Sequence, residues 1–307
     1  MVAALINKII SLFIVLFAGY LIVRFKIVKA QDSKIISLIL VYLITPCVII
    51  SAFQVDSTPE LQSGLLLTLA AAVIIQTANI LILTVLRKPL KLDPVELCSS
   101  IYPNCGNLIV PLVSSMLGPE WVVYTCTFTC VQIAYIWTHC KAVISQEKKI
   151  DFRKILLNAN MISIYFGIII FIFGIRFPAP VKDSIDSIAS MVGPLSMVII
   201  GMLIGSMDIR RVFTYKRVWF ITAMRLLIIP LMVLGFLAVM LRFVTLSNEK
   251  TILMITMLQA CAPAAAYVTQ LSQLYGGDEQ YASAINVVST LMCMFTMPLI
   301  IALYELI

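Results

Sequence analysis

Apolar residues in this chain do not alternate with polar ones. They come in blocks of about twenty, separated by short stretches that hold most of the charge, proline and glycine. At 1.5 Å per residue a helix of about twenty residues crosses the ~30 Å hydrocarbon core of a bilayer, so each block predicts a membrane span. Ten are read: Leu5–Val23, Lys34–Phe53, Gly64–Leu86, Glu96–Leu117, Trp121–Ile144, Ala159–Phe177, Ser184–Met207, Tyr215–Leu241, Thr251–Leu274 and Tyr281–Leu306. The first is long for a secretory signal, has no clear cleavage site and runs straight into further spans, so it is expected to be retained. The longest polar stretch, 145–158, divides the chain into 1–144 and 159–307, with five spans in each half. Five is odd, so two related halves must lie in the membrane with inverted topology.

Composition agrees with the pattern. Of 307 residues 61% are hydrophobic and only 12% charged, about half the ~25% charged content of soluble domains. Mean hydropathy is +1.04. Too little polar surface exists to cover a soluble core, which excludes a cytosolic enzyme, a disulfide scaffold and a disordered chain. The net charge of +7 is a matter of topology rather than of nucleic-acid binding, for which no fold pattern is present. Sixteen of the 22 Lys and Arg residues fall in odd-numbered connections: 24–34, 87–91, 141–154 and 210–217. Five lie on the other side, and Arg225 falls inside the eighth span. The positive-inside rule then puts those connections in the cytoplasm and both termini outside.

The chemistry is expected where the blocks are broken. Span four reads Tyr102-Pro103-Asn104-Cys105-Gly106-Asn107-Leu108-Ile109-Val110-Pro111, which cannot continue as a regular helix. Span nine breaks at Ala262-Pro263-Ala264. Asn104 and Pro263 each lie 14 residues before the corresponding glycine of a terminating turn, Gly118 and Gly277. Spans two and seven each carry an internal proline, Pro46 and Pro194. Matched interruptions in two inverted halves point to a secondary transporter's binding site. Two half-helix N-termini near one point would favour an anion such as a carboxylate, with Asn104 and Asn107 adding neutral donors and acceptors.

These residues resemble the auxin efflux carrier family, which includes plant auxin exporters and bacterial malate or malonate permeases. Pro103-Asn104 with Pro111 is similar to the family's fourth-span motif. Pro263, Tyr275-Gly276-Gly277-Asp278 and the 283–290 stretch resemble its ninth-span region, and Thr45-Pro46 and Gly193-Pro194 also fit. The resemblance extends over essentially the whole chain. It implies an all-α fold of ten transmembrane helices, a 5+5 inverted repeat with crossed broken helices 4 and 9, like bile-acid symporters and some sodium/proton antiporters. It also implies a scaffold (helices 1, 2, 6 and 7), a transport unit (helices 3–5 and 8–10) and a homodimer through the scaffold. The expected substrate-binding residues are Asn104, Gly106, Asn107, Pro111, Ala262, Pro263, Ala264, Thr45 and Pro46, with Asn104 on the substrate carboxylate. The short 145–158 connector replaces the long insert of many plant exporters and favours a prokaryotic organic-anion carrier.

The other polar residues leave alternatives open. Arg225 could pair with a substrate anion, bind carbonyls of a broken helix or snorkel to the cytoplasmic face. Gln270 and Asn286 are candidates for coupling or gating beside it, against a role as helix–helix glue. All fifteen carboxylates lie near span ends or in connections, so coupling to a proton or a sodium gradient stays unassigned. His139, the only histidine, is read as a hydrogen-bonded interfacial residue before a proton relay. Cys126 and Cys130 lack the further ligands a metal needs, and no cofactor is expected. No nucleophile–base pair suggests an enzyme. The leading function is a carrier of a small carboxylate, and the alternative is a ligand-binding receptor on a transporter-like fold.

Overall fold

The computed structural model describes residues 2–56, 58–146, 156–157, 159–206, 215–244, 246 and 248–307, with the backbone alone at 2–5, 30 and 107. The charged residues of the central connector from 147 to 154, and Arg210 and Arg211, lie outside the described residues. Every regular element described is helical. In chain order these are α1 (Val2–Arg24), α2 (Ser33–Ile39), α3 (Thr45–Ala52), α4 (Pro59–Leu86), α5 (Pro94–Ile101) and α6 (Val110–Met116). Then come α7 (Val122–Tyr135), α8 (Lys141–Ser145), α9 (Ala159–Ile172), α10 (Ala179–Ser190) and α11 (Val192–Ser206). The last are α12 (Lys216–Ala223), α13 (Ile229–Met240), α14 (Glu249–Ala260), α15 (Ala266–Tyr275) and α16 (Glu279–Glu305).

Wide five-residue π turns join α2 to α3 (Leu40–Ile44), lead into α6 (Cys105–Ile109), join α7 to α8 (Ile136–Cys140) and join α12 to α13 (Met224–Ile228). Three of them are followed at once by a proline in the first turn of the next helix: Pro46, Pro111 and Pro230. A proline has no N–H, and its ring crowds the carbonyl four residues back, so the chain widens by one residue to pass it. At the first of these turns Thr45 Oγ1 donates to Leu40 O at 2.8 Å and takes up a carbonyl five residues back.

Among the described residues six helical stretches are long and apolar enough to cross a membrane: Ile6–Arg24, Ser33–Ala52, Pro59–Leu86, Ala179–Gly205, Lys216–Met240 and Glu279–Glu305; Ala159–Ile172 is apolar but shorter. The fourth and ninth apolar blocks are missing from that set because their breaks leave α5, α6, α14 and α15, of only 8, 7, 12 and 10 residues. The seventh block is helical from Ala179, five residues ahead of the expected start, since Pro178 and Pro180 suit a helix N-terminus.

The chain forms two compact units. The first comprises 1–62, 106–126 and 156–209. Its tightest contact is between α1 and α11, backbone against backbone. A Cβ on Gly19 would lie 2.5 Å from Val198 O, one on Gly201 would collide with Leu16 O, and Gly201 and Gly205 repeat the small-xxx-small spacing of close membrane helices. Phe53 packs edge-on to Phe171 at 6.3 Å and fills the space left by Gly167. Ser51 Oγ donates to Asp186 at 2.5 Å. Gly201→Leu should lower the unfolding temperature sharply, by overpacking of about 1–3 kcal/mol or more. Gly235→Ala, where an added Cβ meets nothing within 4 Å, should leave it unchanged or raised, as measured by thermal unfolding in detergent.

The second unit comprises 63–105, 127–155 and 210–307. Its centre is made by the two half-helices that precede the breaks. Every residue of α5 from Val95 to Ile101 is buried, and so is every residue of α14 from Ile252 to Ala260. A helix buried all round has no solvent or lipid face, which holds both breaks inside protein.

Candidate functional site

The breaks of α5 and α14 meet within the second unit. Pro103 and Ala264 form an antiparallel bridge. The Asn104 N–H donates to Pro263 O at 2.7 Å, and the Ala265 N–H donates to Tyr102 O at 2.9 Å. Irregular backbone at membrane depth must be hydrogen-bonded by protein or line a cavity, and side chains of neighbouring helices take up several of the freed groups.

Arg225 serves three of them. It is 1% exposed and projects inward from the π turn between α12 and α13. Its Nε donates to Ala262 O at 3.0 Å, Nη2 to Ala260 O at 2.8 Å and Nη1 to Ser100 O at 3.3 Å. Those carbonyls lie at the C-terminal ends of α14 and α5, where the helix dipole is negative. The planar guanidinium fork suits three acceptors spread across two chains. Asn286 Nδ2 donates to Ala264 O at 2.6 Å, and Ser289 Oγ accepts from the Ala264 N–H at 3.1 Å, so α16 satisfies both backbone groups of that residue. Gln132 Nε2 donates to Pro103 O. The Tyr102 hydroxyl bonds His139 Nδ1 at 2.8 Å and donates to Tyr135 O at 3.2 Å, which ties the residue before Pro103 to α7.

Two amides at the break make no side-chain hydrogen bond among the described residues: Gln259, fully buried near the end of α14, and Asn104, which is 7% exposed. Beside it α15 begins, with Ala265 at the cap position and no side chain capping it. An uncapped helix N-terminus next to a spare amide suits an anion.

The structure thus gathers Asn104, Ala262, Pro263, Ala264, Arg225 and Asn286 at one place. Gln270 is not among them: it is exposed on α15 and has no hydrogen bond to the break. Gly106, Pro111, Thr45 and Pro46 belong to the first unit, where Pro111 packs 3.3 Å from the Cβ position of Gly193. The backbone of Asn107 lies in the π turn leading to α6, and its side chain lies outside the described residues.

A second cluster lies at the start of α5. Asp93-Pro94-Val95-Glu96 is a capping box, in which Asp93 accepts from the Glu96 N–H and Glu96 accepts from the Asp93 N–H. The same Glu96, its side chain 3% exposed, receives Arg217 Nε and Nη2 at 2.6 Å each and the Tyr281 hydroxyl at 2.8 Å. This bidentate pair ties α5 to α12 and α16. The D-P-x-E spacing was a readable signal for the cap; nothing local in the sequence announced Arg217 or Tyr281.

An all-helical chain of this apolarity, with long apolar helices and two interrupted ones joined inside protein, is a multi-pass integral membrane protein. Residues 4–301 match the model of the membrane transport protein family, and the chain belongs to that family, the auxin efflux carriers. It is accordingly a membrane transporter, from a family of transporters rather than of enzymes. A comparison with curated proteins found no match.

Proposed function

We propose that the protein is a secondary carrier that moves a small organic anion, a mono- or dicarboxylate such as malate, across the plasma membrane by alternating access. In this reading ten spans form two inverted five-helix repeats, both termini lie outside, and helices 3–5 and 8–10 move against a scaffold of helices 1, 2, 6 and 7. The substrate carboxylate binds at the break, on the Asn104 amide and the N-terminal turn of α15. The observation that carries the proposal is a spare, partly accessible Asn104 amide beside a break where Arg225, Asn286, Ser289 and Gln132 hold backbone groups of Ala260, Ala262, Ala264 and Pro103. Those four side chains are committed to the break, and of the two amides left there Gln259 is fully buried, so Asn104 is the one left to meet a ligand.

The test is uptake of radiolabelled mono- and dicarboxylates into proteoliposomes, with proton and sodium gradients imposed separately. Saturable uptake of at least one acid, dependent on one gradient or on none, is the expected result. Binding of an acid without uptake would overturn the carrier in favour of a receptor, and neither binding nor uptake would overturn the substrate class.

A further inference from the structure

The surface of the second unit carries a cavity of about 170 Å³ between α4 and the α12–α13 helix pair, away from the break. Its wall is hydrocarbon apart from Asn79. On α4 it is formed by Ile82 and Leu86, continued by Leu90 in the turn that follows; opposite lie Met224, Ile228 and Met232 at successive helical steps. Ile82, Leu86, Ile228 and Met232 are exposed, so the cavity opens sideways from helices that are long and apolar enough to span a bilayer. A slot of this kind fits an acyl chain.

One end of the slot is basic. Leu90 lies in the turn that carries Arg87, Lys88 and Lys91. Arg217 Nη2 donates to Leu90 O at 3.3 Å and to Lys91 O at 3.1 Å, which brings the start of α12, with Lys216, against that turn. Arg217 is committed to Glu96, and Arg87 Nε to Leu92 O. Lys88, Lys91 and Lys216 are exposed, and their ammonium groups have no ion pair or hydrogen bond among the described residues. The next carboxylates along the chain are Asp93, which caps α5, and Glu96 in the first turn of α5, buried and paired. The mouth therefore has a surplus of positive charge directly above an apolar slot.

We infer that this is a binding site for one anionic phospholipid, with an acyl chain in the slot and its phosphate on Lys88, Lys91 and Lys216. Charge complementarity selects the anionic lipid over a zwitterionic one, since each juxtamembrane Lys attracts an anionic headgroup. The site also touches the working part of the protein. Met224 and Ile228 bound the π turn whose inward residue is Arg225, so a seated chain supports from outside the turn that holds the break from within. The inference rests on α4, α12 and α13 crossing a bilayer and not on the substrate assignment, and its test uses no transport readout.

The full-length protein, purified in detergent, is given equimolar phosphatidylglycerol and phosphatidylcholine and analysed by native mass spectrometry and thermal unfolding. The wild type should retain one phosphatidylglycerol in preference and unfold at a higher temperature with it. Replacing Lys88, Lys91 and Lys216 by Gln should lower the preference roughly five-fold per lysine, with unfolding in phosphatidylcholine alone unchanged because all three side chains are on the surface. Ile228→Trp, which fills the slot, should abolish the retained lipid while leaving the lysines in place. Equal retention of both lipids, an undiminished preference in the lysine variant, or the same stabilisation from inorganic phosphate alone would each overturn the site.

Discussion

Arg225→Met is expected to leave little folded protein. The substitution keeps most of the side chain's length and removes the donors to Ser100, Ala260 and Ala262. Three carbonyls then stay buried without partners, at about 1–3 kcal/mol each. That is most of the margin of a typical protein of about 5–15 kcal/mol. Arg225→Lys should recover part of the loss, because an ammonium on a flexible stem can serve one or two carbonyls but not all three in a plane. Thermal unfolding in detergent, with the Met, Lys and wild-type forms compared, reads the effect directly. A Met variant as stable as the wild type would show that the three hydrogen bonds are not what holds the break.

Asn104→Ala is expected to do the opposite: to keep the fold and lose transport. Its backbone N–H still donates to Pro263 O in the variant, and no hydrogen bond of the side chain to a described residue is given up. Unfolding temperature should therefore change little. If the amide holds a substrate carboxylate, its loss removes a hydrogen bond to a charged group worth about 1.5–3 kcal/mol, or roughly ten- to a hundredfold in affinity. Asn104→Asp should be worse for uptake, since it sets a negative charge against an anion. The pair of measurements separates site from scaffold: uptake unaffected in both Asn104 variants would remove Asn104 from the site, whatever becomes of Arg225.

The contrast between these residues shows how far the sequence reaches. Both are polar residues in apolar blocks, and both stand out for that reason alone. Pro103, Pro111 and Pro263 mark candidate breaks because a residue without an N–H leaves a helix carbonyl unpaired, a rule that needs no tertiary information, although Pro298 sits inside the uninterrupted α16 and shows that a proline alone does not fix a break. The same rule accounts for the π turns ahead of Pro46 and Pro230. Arg225 had three readings open in the sequence, and burial to 1% with its guanidinium on backbone oxygens rules out a snorkelling side chain. Gln270 and Asn286 looked alike as amides in apolar helices, yet one is on the surface and the other hydrogen-bonds Ala264. Glu96 read as an ordinary carboxylate near a span end and proves to be a buried ion pair joining three helices.

The sequence by itself determined that the chain lives in a membrane, where its helices are interrupted and which family it belongs to. Each of these follows from properties of contiguous residues: hydropathy over about twenty positions, the missing proline N–H, a motif of fixed spacing. Only the tertiary structure decided which side chains complete the breaks. Arg225 meets carbonyls 35, 37 and 125 positions away, and Arg217 meets a carboxylate 121 positions away. Pairings at such separations leave no periodicity along the chain. They are chosen by which buried groups would otherwise lack a partner, and that is settled only when the helices pack.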